Sequence, residues 1–112
     1  MLLGTQRFSV PTVVWGSFLR LATKRGILDP PSSLGEAFAF IDSVCAQPQY
    51  LQLEPGSSHL QLLQRVCEEA HAKGDLVADA VIAAIALEHG CAVVSLDRDF
   101  ARFSSIQHVI PS

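Results

Sequence analysis

The sequence is poor in the features that mark most specialised classes. It has only 3 cysteines, Cys45, Cys67 and Cys91. Their number is odd and they form neither a CxxC pair nor a Cys/His set, which excludes a disulfide framework and a zinc knuckle. Each lies in an apolar stretch, so the three are expected to be small buried core residues. Charged residues make up 17% of the chain and aromatic residues 7%. Basic side chains (8) are outnumbered by acidic ones (11), giving a net charge of −3. A simple DNA-binding module that works through a broad cationic face is thereby excluded, but a nuclease whose carboxylates hold a metal is not. With 7 glycines and 6 prolines the chain is neither low-complexity nor collagen-like. The longest apolar run, Ala80 to Leu87, is far too short to span a bilayer. No basic segment precedes an apolar one at the start, so no signal peptide is expected, and a cytoplasmic location follows. GxSxG, GxGxxG, P-loop and HExxH patterns are all missing.

What is present is ample apolar content, 49% of 112 residues, which fits a single globular domain with its own core. Phe8 and Val10 suggest a short strand. After Pro11, which is placed for a first turn, Val14, Phe18 and Leu21 have helical spacing, and Gly26 is the expected stop. Asp29 to Ser33 read as a turn and a helix start. Leu34, Ala37, Phe38, Ile41, Val44 and Cys45 then form an apolar stripe that runs towards Pro48. Tyr50 to Leu53 alternate like a strand. Ser57 or Ser58 is placed to cap a helix with Leu60, Leu63, Val66, Cys67 and Ala70 on one face, ending by Gly74. Asp75 is a plausible cap for a further helix to about His89, closed by Gly90. Cys91 to Ser95 is a nearly continuous apolar run, as in a buried parallel strand. Leu96 to Phe100 turn into a short helix, and Gln107 to Ile110 form a last strand. Helices alternating with strands predict an α/β sandwich with a largely parallel sheet.

Most carboxylates have plain explanations. Glu36, Asp42, Glu68 and Glu69 fall on polar helix faces and are expected to be solvated. Asp79 differs, because it shares a helix face with Leu76, Ile82, Ala83 and Ala86. A buried carboxylate must find a partner or a cation, so both a satisfied structural Asp and a metal ligand fit. Asp97 follows the Val93–Val94 strand, at the end of a parallel sheet where ligands bind, and it is equally placed to cap the short helix after it. Asp99 lies in that helix's first turn, where an acid suits the helix dipole. Together the three acids offer the oxygen ligands that Mg²⁺ or Mn²⁺ takes. The four histidines do not form a metal set: His59 and His71 are not at i, i+4 spacing, and His89 suits a helix end.

The segment from Gly74 to Gly90, with its Asp79-Ala80 pair in an Ala-rich helix, is followed by Val93-Val94-Ser95-Leu96-Asp97-Arg98-Asp99-Phe100-Ala101-Arg102-Phe103. This order resembles the C-terminal half of PIN-domain proteins, most closely the VapC toxins of bacterial toxin–antitoxin pairs. Val10 to Trp15, running into Phe18-Leu19-Arg20, resembles that family's second strand and the helix after it, so the likeness covers nearly the whole chain. The resemblance implies a PIN-like three-layer α/β/α sandwich with a mainly parallel sheet, and a metal-dependent endoribonuclease. It implies Asp79, Asp97 and Asp99 as the metal-binding and catalytic acids, Mg²⁺ or Mn²⁺ as cofactor, and RNA as substrate, transfer RNA among the candidates. It also implies a VapB-like antitoxin as partner, a homodimer, and no membrane association. Arg98 and Arg102 are candidates to meet RNA phosphates, and solvated basic residues are the plainer alternative.

Two departures are visible. The family's opening strand and its Asp have no counterpart, so residues 1–112 are expected to form one N-terminally incomplete PIN-like domain lacking the usual first strand. A start assigned too late and a truncated gene are the competing origins. The Glu common in the helix after the second strand is replaced by Gly16 or Ser17. Fewer ligands predict weaker metal binding. The alternative expectation is therefore a catalytically impaired remnant that binds an antitoxin or dimerises through Phe38, Phe40, Ile41, Leu60 and Leu63. A receiver-like module, which needs an acid pair after its first strand, has no support.

Overall fold

The computed structural model describes residues 6–27 and 29–111. It divides into two units, one within Leu3–Gln52 and the other within Leu53–Ser112.

The first unit is built on two helices, α1 (Thr12–Ala22) and α2 (Leu34–Cys45). Pro11 precedes α1 as its N-cap, not as a first-turn residue, with φ −61° and ψ 153°. The helix ends at Ala22, earlier than Gly26. The Thr23 hydroxyl donates to the Leu19 carbonyl at 2.7 Å and satisfies that helix-end acceptor. Gly26, at φ +91°, makes the reversal that follows. The start of α2 is fixed by a capping box. The Glu36 amide donates to Ser33 Oγ at 3.1 Å, and the Ser33 amide donates to Glu36 Oε1 at 3.0 Å. The backbone bond from Ser33 holds the Glu36 carboxyl below its ordinary range. Glu36 thus has a structural role beyond the solvated one expected of it. The two helices pack against each other, and Ala22, Ala37 and Ile41 are buried. Trp15, Phe18 and Phe40 pack as a ring cluster with centroids 5.4 to 6.4 Å apart. The expected strands near Phe8 and Tyr50 shrink to one parallel bridge between those residues. In it the Phe8 amide donates to the Gln49 carbonyl (3.1 Å) and the Leu51 amide to the Phe8 carbonyl (2.8 Å).

The second unit contains α3 (His59–Ala70), α4 (Leu76–Glu88), β1 (Val93–Val94), a 3-10 helix (Arg98–Arg102) and β2 (His108–Val109). Ser58 occupies the N-cap of α3 without a side-chain bond. The donors of that loop go instead to Glu88, whose carboxylate accepts from the Gly56 amide at 2.8 Å and the Ser58 amide at 3.1 Å. α3 ends before Gly74, with His71 in the left-handed region at φ 49°. Asp75 stands at the N-cap of α4, but its backbone is already helical and its side chain makes no cap bond. Gly90, at φ +66°, follows α4 as expected.

The core of this unit is Val66 and Ala70 of α3, Ala80, Ala83 and Ala84 of α4, Val93, Phe100 and Phe103. The alanines of α4 let α3 approach closely, and Phe103, only 1% exposed, completes the same core. β1 and β2 pair in parallel, Val93 opposite His108 and Val94 opposite Val109. The long buried strand expected over Cys91 to Ser95 is corrected to two residues, of which only Val93 is buried. Among the described residues of this unit β1 has a partner on one side alone, so the ladder ends after two residues. The cysteines are corrected as well. All three are free, Cys45 and Cys91 are exposed, and Cys67 alone packs against the core. Apolar sequence neighbours did not bury them, because Cys45 falls at the end of α2 and Cys91 just beyond the glycine that closes α4. Glu69 is corrected too: it is half-buried and accepts from the amide (3.2 Å) and hydroxyl of Ser105, with Arg65 Nε 3.5 Å away. Among the described residues no helix is long and apolar enough to cross a membrane.

Candidate metal centre

Three side chains converge in the second unit. Asp79 comes from the first turn of α4, Asp97 from the N-cap of the 3-10 helix that follows β1, and Asp99 from the first turn of that helix. Each offers a carboxylate oxygen, and these oxygens all lie within 4.8 Å of one another. Asp79 is half-buried, whereas Asp97 and Asp99 are exposed. All three acids singled out from the sequence therefore meet at one place, from two elements some twenty residues apart in the chain.

Local chemistry accounts for each position. Asp79 sits at the positive end of the α4 dipole, which favours a carboxylate. The body of its helix is fixed by Ala80, Ala83 and Ala84 in the core, so Asp79 is held at the rim. Asp97 caps the 3-10 helix: its Oδ1 accepts from the Asp99 amide at 2.9 Å. The capping and metal-binding readings of Asp97 are thus compatible, since capping with one carboxylate oxygen leaves the second free to point elsewhere. Phe100, 4% exposed, anchors the far end of the turn in the core.

The electrostatics of the cluster are unfavourable for bare carboxylates. The Asp79 carboxyl is pushed above its ordinary value, first by burial and then by the negative charges of Asp97, Asp99 and Asp75. The donor set is all carboxylate oxygen, with no imidazole or thiolate among the three. Such a set suits a small hard divalent cation, Mg²⁺ or Mn²⁺, which binds through a few carboxylates and keeps part of its water. Asp79, Asp97 and Asp99 fit that requirement.

Neighbouring residues divide differently from expectation. Arg102 Nη2 donates to the Ala70 carbonyl at 3.2 Å, which ties the 3-10 helix to the end of α3, so its guanidinium has a structural partner. Arg98 is exposed beside the two acids of its turn. His89 lies outside the cluster, and its ring Nε2 bonds the Glu54 carbonyl at 2.8 Å. Sequence reasoning missed Ser95, whose hydroxyl accepts from the Asp97 amide at 3.0 Å. The signal was there in the Ser-x-Asp spacing, a common local side-chain-to-backbone arrangement.

A family model described as PIN domain matches residues 2–106. The chain belongs to the PIN-domain family. Among its relatives, Ribonuclease VapC31 of Mycobacterium tuberculosis is 61% identical over 104 residues, covering 93% of this chain and 73% of the relative. Ribonuclease VapC25 of the same organism is 59% identical over the same shares. Ribonuclease VapC43 is 34% identical over 98 residues, 88% of this chain and 67% of the relative. This PIN chain is therefore of the VapC type. Its fold is also that of a crystal structure of VapBC2 from Rickettsia felis bound to a DNA fragment from their promoter. That match has a TM-score of 0.69 at 10% identity and covers 94% of this chain and 75% of that one. The α/β PIN-like fold with parallel pairing expected from the sequence is the fold observed.

Proposed function

We propose that this VapC-type chain is a toxin endoribonuclease that hydrolyses RNA phosphodiester bonds, with Asp79, Asp97 and Asp99 holding Mg²⁺ or Mn²⁺. The observation that carries the reading is the convergence of the three carboxylates within 4.8 Å at a strand end. The VapC ribonucleases among its relatives supply the reaction class. When bound, the cation supplies positive charge against phosphate oxygens and makes water acidic enough to attack near neutral pH. The chain's own residues do the rest. Asp79, set on a packed helix, gives the site a fixed wall. Asp97 and Asp99, on a capped turn, are exposed to solvent, so a cation held by the three acids would be open to an RNA phosphate. Without a cation the same three charges would repel a phosphodiester.

The site is read as part of a single PIN domain that acts in the cytoplasm. Its second partner class is a VapB-like antitoxin, with the chain itself as a homodimer. The specific observation favouring a protein partner is the exposure of large apolar side chains on helices: Leu34, Phe38 and Phe40 on α2 in the first unit and, separately, Leu60 on α3 in the second, at 77%. Ile41 and Leu63 are not among these exposed side chains, since Ile41 is buried and Leu63 packs against the core of its unit.

The test is cleavage of a fluorescent RNA by the purified chain in Mn²⁺. Chelation, or Asp79→Asn, is expected to lower the rate by more than about 100-fold. A rate that is indifferent to both overturns the metal-dependent reading. Antitoxin binding that survives Asp97→Asn would separate the partner surface from the site.

A further inference from the structure

The turn that carries Asp97 and Asp99 has almost no apolar hold on it. Leu96 is 75% exposed, and Asp97, Arg98 and Asp99 are exposed as well. Packing resumes only at Phe100. Polar contacts therefore help to place the two acids, from the core side through the Asp97 carbonyl, which accepts from the Phe100 amide at 3.4 Å, and from the sheet side through Ser95. The Ser95 amide donates to the Val109 carbonyl at 3.1 Å. The Ser95 carbonyl accepts from His108 Nε2 at 2.8 Å. A carbonyl can only accept, so the ring nitrogen is the donor. Both backbone groups of Ser95 are thus fixed to β2. Its hydroxyl then takes the Asp97 amide (3.0 Å), and Asp97 Oδ1 takes the Asp99 amide (2.9 Å). The chain of bonds leads from β2 through Ser95 to Asp97 and on to Asp99.

We infer that Ser95 is the positioning residue of the metal centre: its hydroxyl transmits the fixed geometry of the β1–β2 pair to Asp97 and, through Asp97, to Asp99. The inference rests on the reading that these acids hold the cation. Its physical basis is that three like charges within 4.8 Å tend to splay the exposed turn outwards. The Ser95 hydroxyl opposes that motion on the sheet side of the turn, where Leu96 and Asp97 have no apolar packing of their own. Partners of this kind, which orient ligands without touching the metal, are worth about 10–100-fold in affinity or activity.

The test compares wild type, Ser95→Ala, Ser95→Thr and Asp97→Asn by calorimetric titration with Mn²⁺, with the metal-free melting temperature as control of folding. Ser95→Ala is expected to weaken Mn²⁺ binding about 10–100-fold. Ser95→Thr, which restores the hydroxyl, should return it to within about threefold of wild type. A Thr/Val pair at position 95 repeats the comparison at constant volume should the alanine variant fold poorly. Ser95→Ala binding Mn²⁺ as wild type does, or Thr and Val variants binding it equally, overturns the inference. Asp97→Asn separates the two readings. If it binds Mn²⁺ normally, the metal centre itself is wrong. If it loses Mn²⁺ while Ser95→Ala does not, only the role of Ser95 falls.

Discussion

Replacing Asp97 by Asn should stabilise the metal-free protein and abolish its stabilisation by metal, two effects of opposite sign from one substitution. Two like charges separated by 4.8 Å, the outer limit for this cluster, repel by about 0.9 kcal/mol in bulk water and about 3.5 kcal/mol at an effective dielectric of 20. Asp97 and Asp99 are exposed, so the lower figure governs. Asp97→Asn removes two of the three pairwise repulsions, close to 2 kcal/mol. Salt at physiological strength, with a screening length of about 8 Å, reduces this to about 1 kcal/mol. The cap on the 3-10 helix is not lost, because Asn caps as well as Asp. The melting temperature in chelator should therefore rise by about 4 °C. In Mn²⁺ at a hundredfold excess over its dissociation constant, wild type should gain about 2.7 kcal/mol and the variant nothing. Differential scanning fluorimetry in chelator and in Mn²⁺ reads both effects. A variant that is less stable than wild type in chelator, yet shifts equally with Mn²⁺, would show that Asp97 is only a helix cap.

Two other outcomes follow from the same packing and charges. Phe103→Ala opens a cavity in the core of the second unit and should cost about 3–5 kcal/mol, read by urea denaturation; a loss under about 1 kcal/mol would mean that the aromatic pair with Phe100 does not close that core. The raised carboxyl of Asp79 makes the folded, metal-free state bind more protons than the unfolded chain between the ordinary value of 3.8 and the raised one. Stability there should fall as pH rises through that window and stay level above it. The difference between the wild-type and Asp79→Asn stability curves isolates this contribution from Glu36 and Glu88, whose lowered carboxyls act in the opposite sense. A flat difference curve would refute it.

The four helices and the three candidate acids were legible in the order of residues alone. Helical periodicity, the Ser33–Glu36 spacing and the glycines at reversals are local signals, and a helix formed in each of the four segments they marked, although α1 ends at Ala22, short of Gly26. The Asp-x-Asp spacing after Val93–Val94 likewise fixed a capped turn, because the cap needs only neighbouring residues. Tertiary structure decided what local pattern cannot carry. Only the packing of α3 on α4, with Phe100 and Phe103 beneath, brings Asp79 to Asp97 and Asp99. The same packing gave Glu69 a partner in Ser105 and Arg102 one in the Ala70 carbonyl, which polar-face reasoning had left in solvent. Strand length was also a tertiary outcome. An apolar run such as Cys91 to Ser95 becomes strand only where a neighbouring backbone accepts its hydrogen bonds, here the Gln107 carbonyl for the Val93 amide and the Val109 carbonyl for the Ser95 amide.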